Sequence, residues 1–120
     1  VEHLAMAAVM ERERQLGHEP NDVSSKNRGY DIESHDAESG VLRLLEVKGR
    51  ADGADTVTVT KNEILTALNK PEGYYLVLVE VSGSETSEPI YIKNPFEQEP
   101  DFATASVNFK INELKAKAAL

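Results

Sequence analysis

Tyr30-Asp31-Ile32-Glu33-Ser34 and Val41-Leu42-Arg43-Leu44-Leu45-Glu46-Val47-Lys48-Gly49-Arg50 decide how this chain is read. The two runs read as short strands joined by a loop through His35, Asp36 and Gly40. Residues two apart in a strand share a face, so Glu46 and Lys48 project side by side, with Leu42 and Leu44 ahead of them. An apolar face that breaks into an acid and a lysine only at its end is built for use rather than for solvation. Asp31, on the neighbouring strand, can bring a second carboxylate to the same spot. Two carboxylates and a lysine at a strand end suit a hard divalent cation, Mg²⁺ or Mn²⁺, and an attacking water. Spacing alone leaves other roles open: Asp31 can pair with Lys48 or cap a turn, and Glu46 and Lys48 can form an ion pair.

Outward from this pair, Ser25-Lys26-Asn27-Arg28-Gly29 is a loop that delivers the chain to Tyr30. Lys26 and Arg28 are candidates for phosphodiester contact, with ordinary surface charge as the alternative. Downstream, Thr56 to Thr60 alternates threonine with valine, a strand signature, and Thr60-Lys61-Asn62-Glu63 opens a helix. Thr60 fits the N-cap and Glu63 the third position of a capping box, which accounts for both without chemistry. Lys61 and Asn62 are free of that duty and are the better candidates for substrate contact.

Asp31, separated by fourteen residues from Glu46-Val47-Lys48, resembles the PD-(D/E)XK nuclease pattern of restriction endonucleases and Holliday-junction resolvases. The wider set Asp22-Val23-Ser24, Asn27-Arg28-Gly29-Tyr30-Asp31-Ile32, Glu46-Val47-Lys48-Gly49 and Thr60-Lys61-Asn62-Glu63 is similar to the protein NO VEIN C-terminal domain family, over roughly residues 1 to 95. Tyr30 stands where the superfamily pattern has its proline. The resemblance implies a restriction-endonuclease-like fold: α/β, a mixed central sheet of four or five strands flanked by helices. It implies a Mg²⁺- or Mn²⁺-dependent nuclease module with Asp31, Glu46 and Lys48 catalytic, Asp31 and Glu46 holding the metal, and Lys26, Arg28, Lys61 and Asn62 holding nucleic acid. DNA is the expected substrate, and helicase or other ATPase domains of a larger DNA-processing or defence protein are the expected partners. Relatives often add a glutamate from the first helix. Glu2 and Glu13 are both candidates, and solvated or ion-paired glutamates are the alternative.

The bulk properties bound this reading. At 120 residues the chain is expected to be one domain, intracellular (cytoplasmic, or nuclear in a eukaryote), and Val1 as first residue suggests a piece of a larger protein. Forty per cent hydrophobic and 28% charged residues suit a soluble domain, and without cysteine there are no disulfides or thiolate metal sites. No apolar run reaches the roughly 20 residues of a membrane span. A net charge of −8 argues against strong autonomous DNA binding, because phosphate contact rests on lysine and arginine. That balance keeps a rival open: a catalytically silent module that docks nucleic acid or a protein partner. A structural adaptor with only an ion pair at its strand end is the third option.

The remaining elements follow from pattern. Val1 to Leu16 reads as a helix burying Val1, Ala5, Ala8, Val9 and Leu16, stopped by Gly17, and Glu19 to Ser24 as a short edge strand. Gly49 to Asp55 reads as a polar link. Ile64, Leu65 and Leu68 give the buried face of the helix after Thr60. Tyr74 to Val81 is the strongest strand, apolar enough to be covered on both faces. Ser82 to Glu88 reads as a turn, Pro89 to Lys93 as a strand, Phe96 as a core residue, Ala103 to Ile111 as a strand and Asn112 to Leu120 as a helix. Zinc spacing, P-loop, dinucleotide and Gly-x-Ser-x-Gly fingerprints are all missing.

Overall fold

The computed structural model describes residues 1–118. Helix α1 (Glu2–Gln15) leads into strands β1 (His18–Asp22), β2 (Ile32–Asp36), β3 (Leu42–Ala51) and β4 (Thr56–Thr60), with a single 3-10 turn at Ser24–Lys26. Helix α2 (Lys61–Asn69), strands β5 (Tyr74–Ser82), β6 (Glu85–Thr86), β7 (Ile90–Lys93) and β8 (Ser106–Lys110), and helix α3 (Ile111–Ala118) follow. The last two residues of the expected C-terminal helix lie outside the described residues. Among the described residues no helix is long and apolar enough to cross a membrane.

The main sheet runs β1-β2-β3-β5, and β6 and β7 both pair with the far edge of β5. β3 and β5 are parallel and the other pairs antiparallel, so the sheet is mixed, as the resemblance implies. A parallel pair needs a crossover, and β4 with α2 supplies it. The sheet has six strands rather than four or five, because the chain doubles back at Glu85–Thr86 inside the expected turn. β4 leaves this sheet and pairs with β8 as a separate antiparallel ribbon.

Both faces of the sheet are covered. Leu44, Leu76 and Leu78 pack beneath α2, α3 and the ribbon with Val57, Val59, Ile64, Ile111 and Leu114. Leu45, Val47, Val77 and Val79 pack beneath α1 with Ala5 and Val9. Tyr74 to Val81 is thus the central strand its apolar run predicts, and Phe96 joins the core. Helix α1 departs from expectation. Its buried positions are Ala5, Val9 and Glu13, while Val1 and Leu16 are about half exposed. Glu13 is fully buried because Arg43 and Tyr91 reach it: Arg43 Nε lies 3.0 Å from Oε1, and the Tyr91 hydroxyl donates to Oε2 at 2.7 Å. The Arg43 guanidinium also stacks 4.5 Å from the Tyr75 ring centre, so a buried charge is paired on all sides.

Candidate functional site

β2 and β3 pair only as far as Ile32 opposite Leu45. One residue earlier, the Asp31 N–H still donates to the Leu45 carbonyl at 2.8 Å, which sets Asp31 beside Glu46. There the strands part: the Val47 N–H has no backbone partner across the gap and donates instead to Asp31 Oδ2 at 2.9 Å. A splayed strand end thus leaves a backbone donor free to fix a carboxylate. Ile32 faces α1 and Asp31 faces the other way, towards the side on which Leu44, Glu46 and Lys48 lie. The three side chains converge as the hairpin spacing predicts.

They line one cavity of about 610 Å³, together with Glu2, His3, Asp22, Ser24, Arg50, Thr58 and Glu63. Helix α1 comes this close because Gly49 has no side chain: a Cβ there would sit 2.7 Å from the Ala5 methyl and 3.0 Å from the Val1 carbonyl oxygen. That close approach puts Glu2 at the cavity wall, whereas Glu13 lies in the Arg43 network away from it. A smaller cavity of about 180 Å³ opens onto Asp31 and Glu46 from the α2 side, lined also by Asn27, Thr60, Asn62 and Glu63.

The electrostatics are uneven within this group. Glu46 is 3% exposed, and burial, with the charges of Asp31 and Glu63 added, pushes its carboxyl up to about 9. Glu46 therefore lies under the surface rather than at an open strand end. Burial also raises Asp31, although the Val47 N–H and the Lys48 charge oppose it. Burial would depress Lys48, but the charges of Glu46 and Glu63 outweigh it and keep the ammonium above its ordinary value. Glu63 goes the other way: burial would raise it, but the Thr60 N–H and Lys48 hold it low. Lys48 Nζ lies 2.9 Å from Glu63 Oε1 and 3.2 Å from Glu46 Oε2. Glu63 is accordingly the carboxyl held towards its ionised form, and Glu46 the one that burial and its acidic neighbours push towards its protonated form.

Sequence reading assigned Glu63 to the capping box, and that box is present. It missed the second use of the same carboxylate, because nothing local signals a partner fifteen residues upstream. The four proposed nucleic-acid contacts scatter. Asn62 lines the smaller cavity. Lys61 is held near Phe102, its Nζ donating to the Phe102 carbonyl at 3.0 Å. Arg28 pairs with Glu33, and exposed Lys26 sits on the 3-10 turn; neither lines either of these two cavities.

Asp31 and Glu46 are the carboxylates here whose oxygen chemistry suits a hard divalent cation. Asp31 and Glu46 offer adjacent oxygens, and the Val47 carbonyl lies on the same edge of β3 as its N–H. Among the described residues no three His, Asp or Glu side chains are grouped so as to hold a metal ion by themselves.

Known proteins bear on this geometry. The fold is shared with Archaeoglobus fulgidus Hjc, a Holliday junction resolvase from an archaeal hyperthermophile, at a TM-score of 0.67 and 10% identity over 96% of this chain and 88% of that one. This makes the fold restriction-endonuclease-like. No curated protein sequence matches. The profile of the family described as Protein NO VEIN, C-terminal, matches residues 1–92, the stretch that holds Asp31, Glu46, Lys48 and Glu63. The chain therefore belongs to the Protein NO VEIN, C-terminal, family.

Proposed function

We propose that this chain is a metal-dependent nuclease module that hydrolyses phosphodiester bonds, with DNA as substrate, in one domain of a larger DNA-processing or defence protein. One observation carries the reading: Asp31, Glu46 and Lys48 meet in a single polar cavity, with the Val47 N–H fixing Asp31. Asp31 and Glu46 would hold Mg²⁺ or Mn²⁺, with the Val47 carbonyl and waters completing its shell. Such a cation neutralises phosphate charge and acidifies a bound water. Glu46 would hold such a cation as the carboxylate. Lys48, held by Glu63 and Glu46, would present its remaining N–H donor to the attacking water or to the charge that builds on the phosphorane-like transition state. Asn62 and Lys61 meet the strand at the α2 end, and Lys26 and Arg28 at its flank.

The acidic balance and the engagement of Lys48 by two glutamates favour the rival, a silent module of the same fold that binds nucleic acid or a partner. Calorimetric titration with Mn²⁺, paired with a nicking assay on DNA, separates them. The nuclease reading expects metal binding lost in Asp31→Asn and cleavage lost in Lys48→Ala. A chain that takes no Mn²⁺ at millimolar concentration, as wild type and as Lys48→Ala, is no nuclease. Binding without cleavage supports the silent module.

A further inference from the structure

The chain has three phenylalanines. Phe96 and Phe109 pack against each other at 5.3 Å between ring centres. Phe102 is 97% exposed. A large apolar ring wholly in water is the uncommon case. Its loop is pinned at three points: the Thr104 N–H donates to the Asp101 carbonyl at 2.9 Å, the Lys61 N–H to the Ala105 carbonyl at 2.8 Å, and Lys61 Nζ to the Phe102 carbonyl at 3.0 Å. The Lys61 ammonium also lies 5.4 Å from the centre of the Phe102 ring. The ring is thus presented on a fixed base beside a cation.

Its position gives it a ligand. Lys61 is the first residue of α2, and its neighbours Thr60 and Asn62 line the smaller cavity that opens onto Asp31 and Glu46. Phe102 stands at that end of the helix, on a segment beyond the residues that match the family. Charge then selects among nucleic-acid surfaces. Glu97, Glu99 and Asp101 on the same exposed segment repel a continuous ribbon of duplex phosphates. The uncharged face of a base meets no such penalty, and stacking on an aromatic side chain holds any base. An ammonium with N–H donors to spare can take the one phosphate that accompanies it.

We infer that Phe102, with Lys61 behind it, is a stacking platform for one unpaired base of the nucleic acid handled at the Asp31–Glu46–Lys48 cavity. This rests on the nuclease reading and narrows it to substrates with single-stranded or extruded nucleotides. In an acidic chain, stacking supplies affinity that counterion release cannot.

The test is oligonucleotide binding by fluorescence anisotropy, with Ca²⁺ in place of Mg²⁺, on a single strand, a perfect duplex and a duplex with one extruded fluorescent adenine analogue. Phe102→Ala should weaken binding of the single strand and the extruded base by about tenfold and leave the duplex unchanged. The analogue's fluorescence should be quenched by wild type and by Phe102→Trp, but not by Phe102→Ala. Lys61→Met should lower the salt slope by about one phosphate. The platform is overturned if Phe102→Ala binds every substrate like wild type, or loses all three equally. Wild type that binds none of the three, while still taking Mn²⁺, overturns the nucleic-acid reading itself.

Discussion

Lys48 Nζ and the Thr60 N–H both lie 2.9 Å from the same oxygen, Glu63 Oε1. The start of α2 and the proposed catalytic ammonium therefore share one acceptor, so closing the helix cap and aiming the lysine are one event. The two functions separate by substitution. Glu63→Gln keeps an oxygen for the cap and removes the charge. We expect a fall in cleavage of at least tenfold with stability changed by less than about 1 kcal/mol. Thr60→Ala removes the hydroxyl end of the box and should cost about 1 kcal/mol in thermal or urea unfolding, with cleavage retained. Equal activity losses in the two variants would show that Glu63 acts only through the helix.

Two carboxylates give the metal-free protein opposite pH slopes. Glu13 is lowered to about 2: burial works against this, but Arg43, Tyr91 and His18 more than compensate. A carboxylate that ionises more easily in the folded state contributes fully above its unfolded value near 4.5 and loses that contribution as pH falls towards 2. The contribution is roughly 3 kcal/mol. Acid unfolding should therefore steepen below pH 4.5, and Glu13→Gln should flatten it at a cost in stability near neutral pH.

Glu46 slopes the other way. The unfolded chain releases this proton near 4.5 and the folded chain holds it to about 9, so stability in EDTA should drop as pH rises across that interval. Glu46→Gln, which keeps the size of the buried side chain, should abolish the drop and abolish Mn²⁺ binding. Melting temperatures in EDTA between pH 5 and 8.5 (roughly the span of the effect) decide it. A variant with the same slope as wild type would place the titrating group elsewhere.

Removal of Arg43 is expected to be worse than loss of a surface charge. Arg43→Met leaves the fully buried Glu13 carboxylate with only Tyr91 and His18 beside it, and breaking a buried pair from one side costs about 3–5 kcal/mol. Urea unfolding measures it. Arg14→Met, whose partner Glu11 is exposed, should change stability by less than about 0.5 kcal/mol.

Gly29 carries a backbone demand and a packing demand at once. Its φ is +89°, and a Cβ would overlap the Thr66 side chain. Gly29→Ala should be destabilising by 2 kcal/mol or more, combining the left-handed penalty with the clash. Gly17→Ala, at a similar φ in open space, should cost only about 1 kcal/mol. Thermal melts of the two variants separate the terms.

The Asp31–Glu46–Lys48 face was legible because strand alternation and one hairpin register are local rules, and the structure obeys both. Glu63 as a partner of Lys48 was not, since a capping box explains the residue completely within four positions. Helix α1 shows the same boundary. Periodicity chose Val1 and Leu16 as buried, yet the chain buries Glu13 instead, because Arg43 and Tyr91 arrive from thirty and seventy-eight residues away. β4 was read as a strand from its threonine–valine alternation. Its partner could not be read, because pairing Thr58 with Asn108 spans fifty residues.

The ribbon of β4 and β8 also separates the recognisable family segment from the folding unit. The profile ends at residue 92, but Phe109, Ile111 and Leu114, all beyond it, roof the same apolar layer as Val57, Val59 and Ile64. A chain trimmed to the family boundary would uncover that layer and leave β4, which supplies Val57 and Thr58 to the cavity wall, with an open edge. Such a trimmed protein should self-associate, and its inactivity would say nothing about the chemistry of the carboxylates.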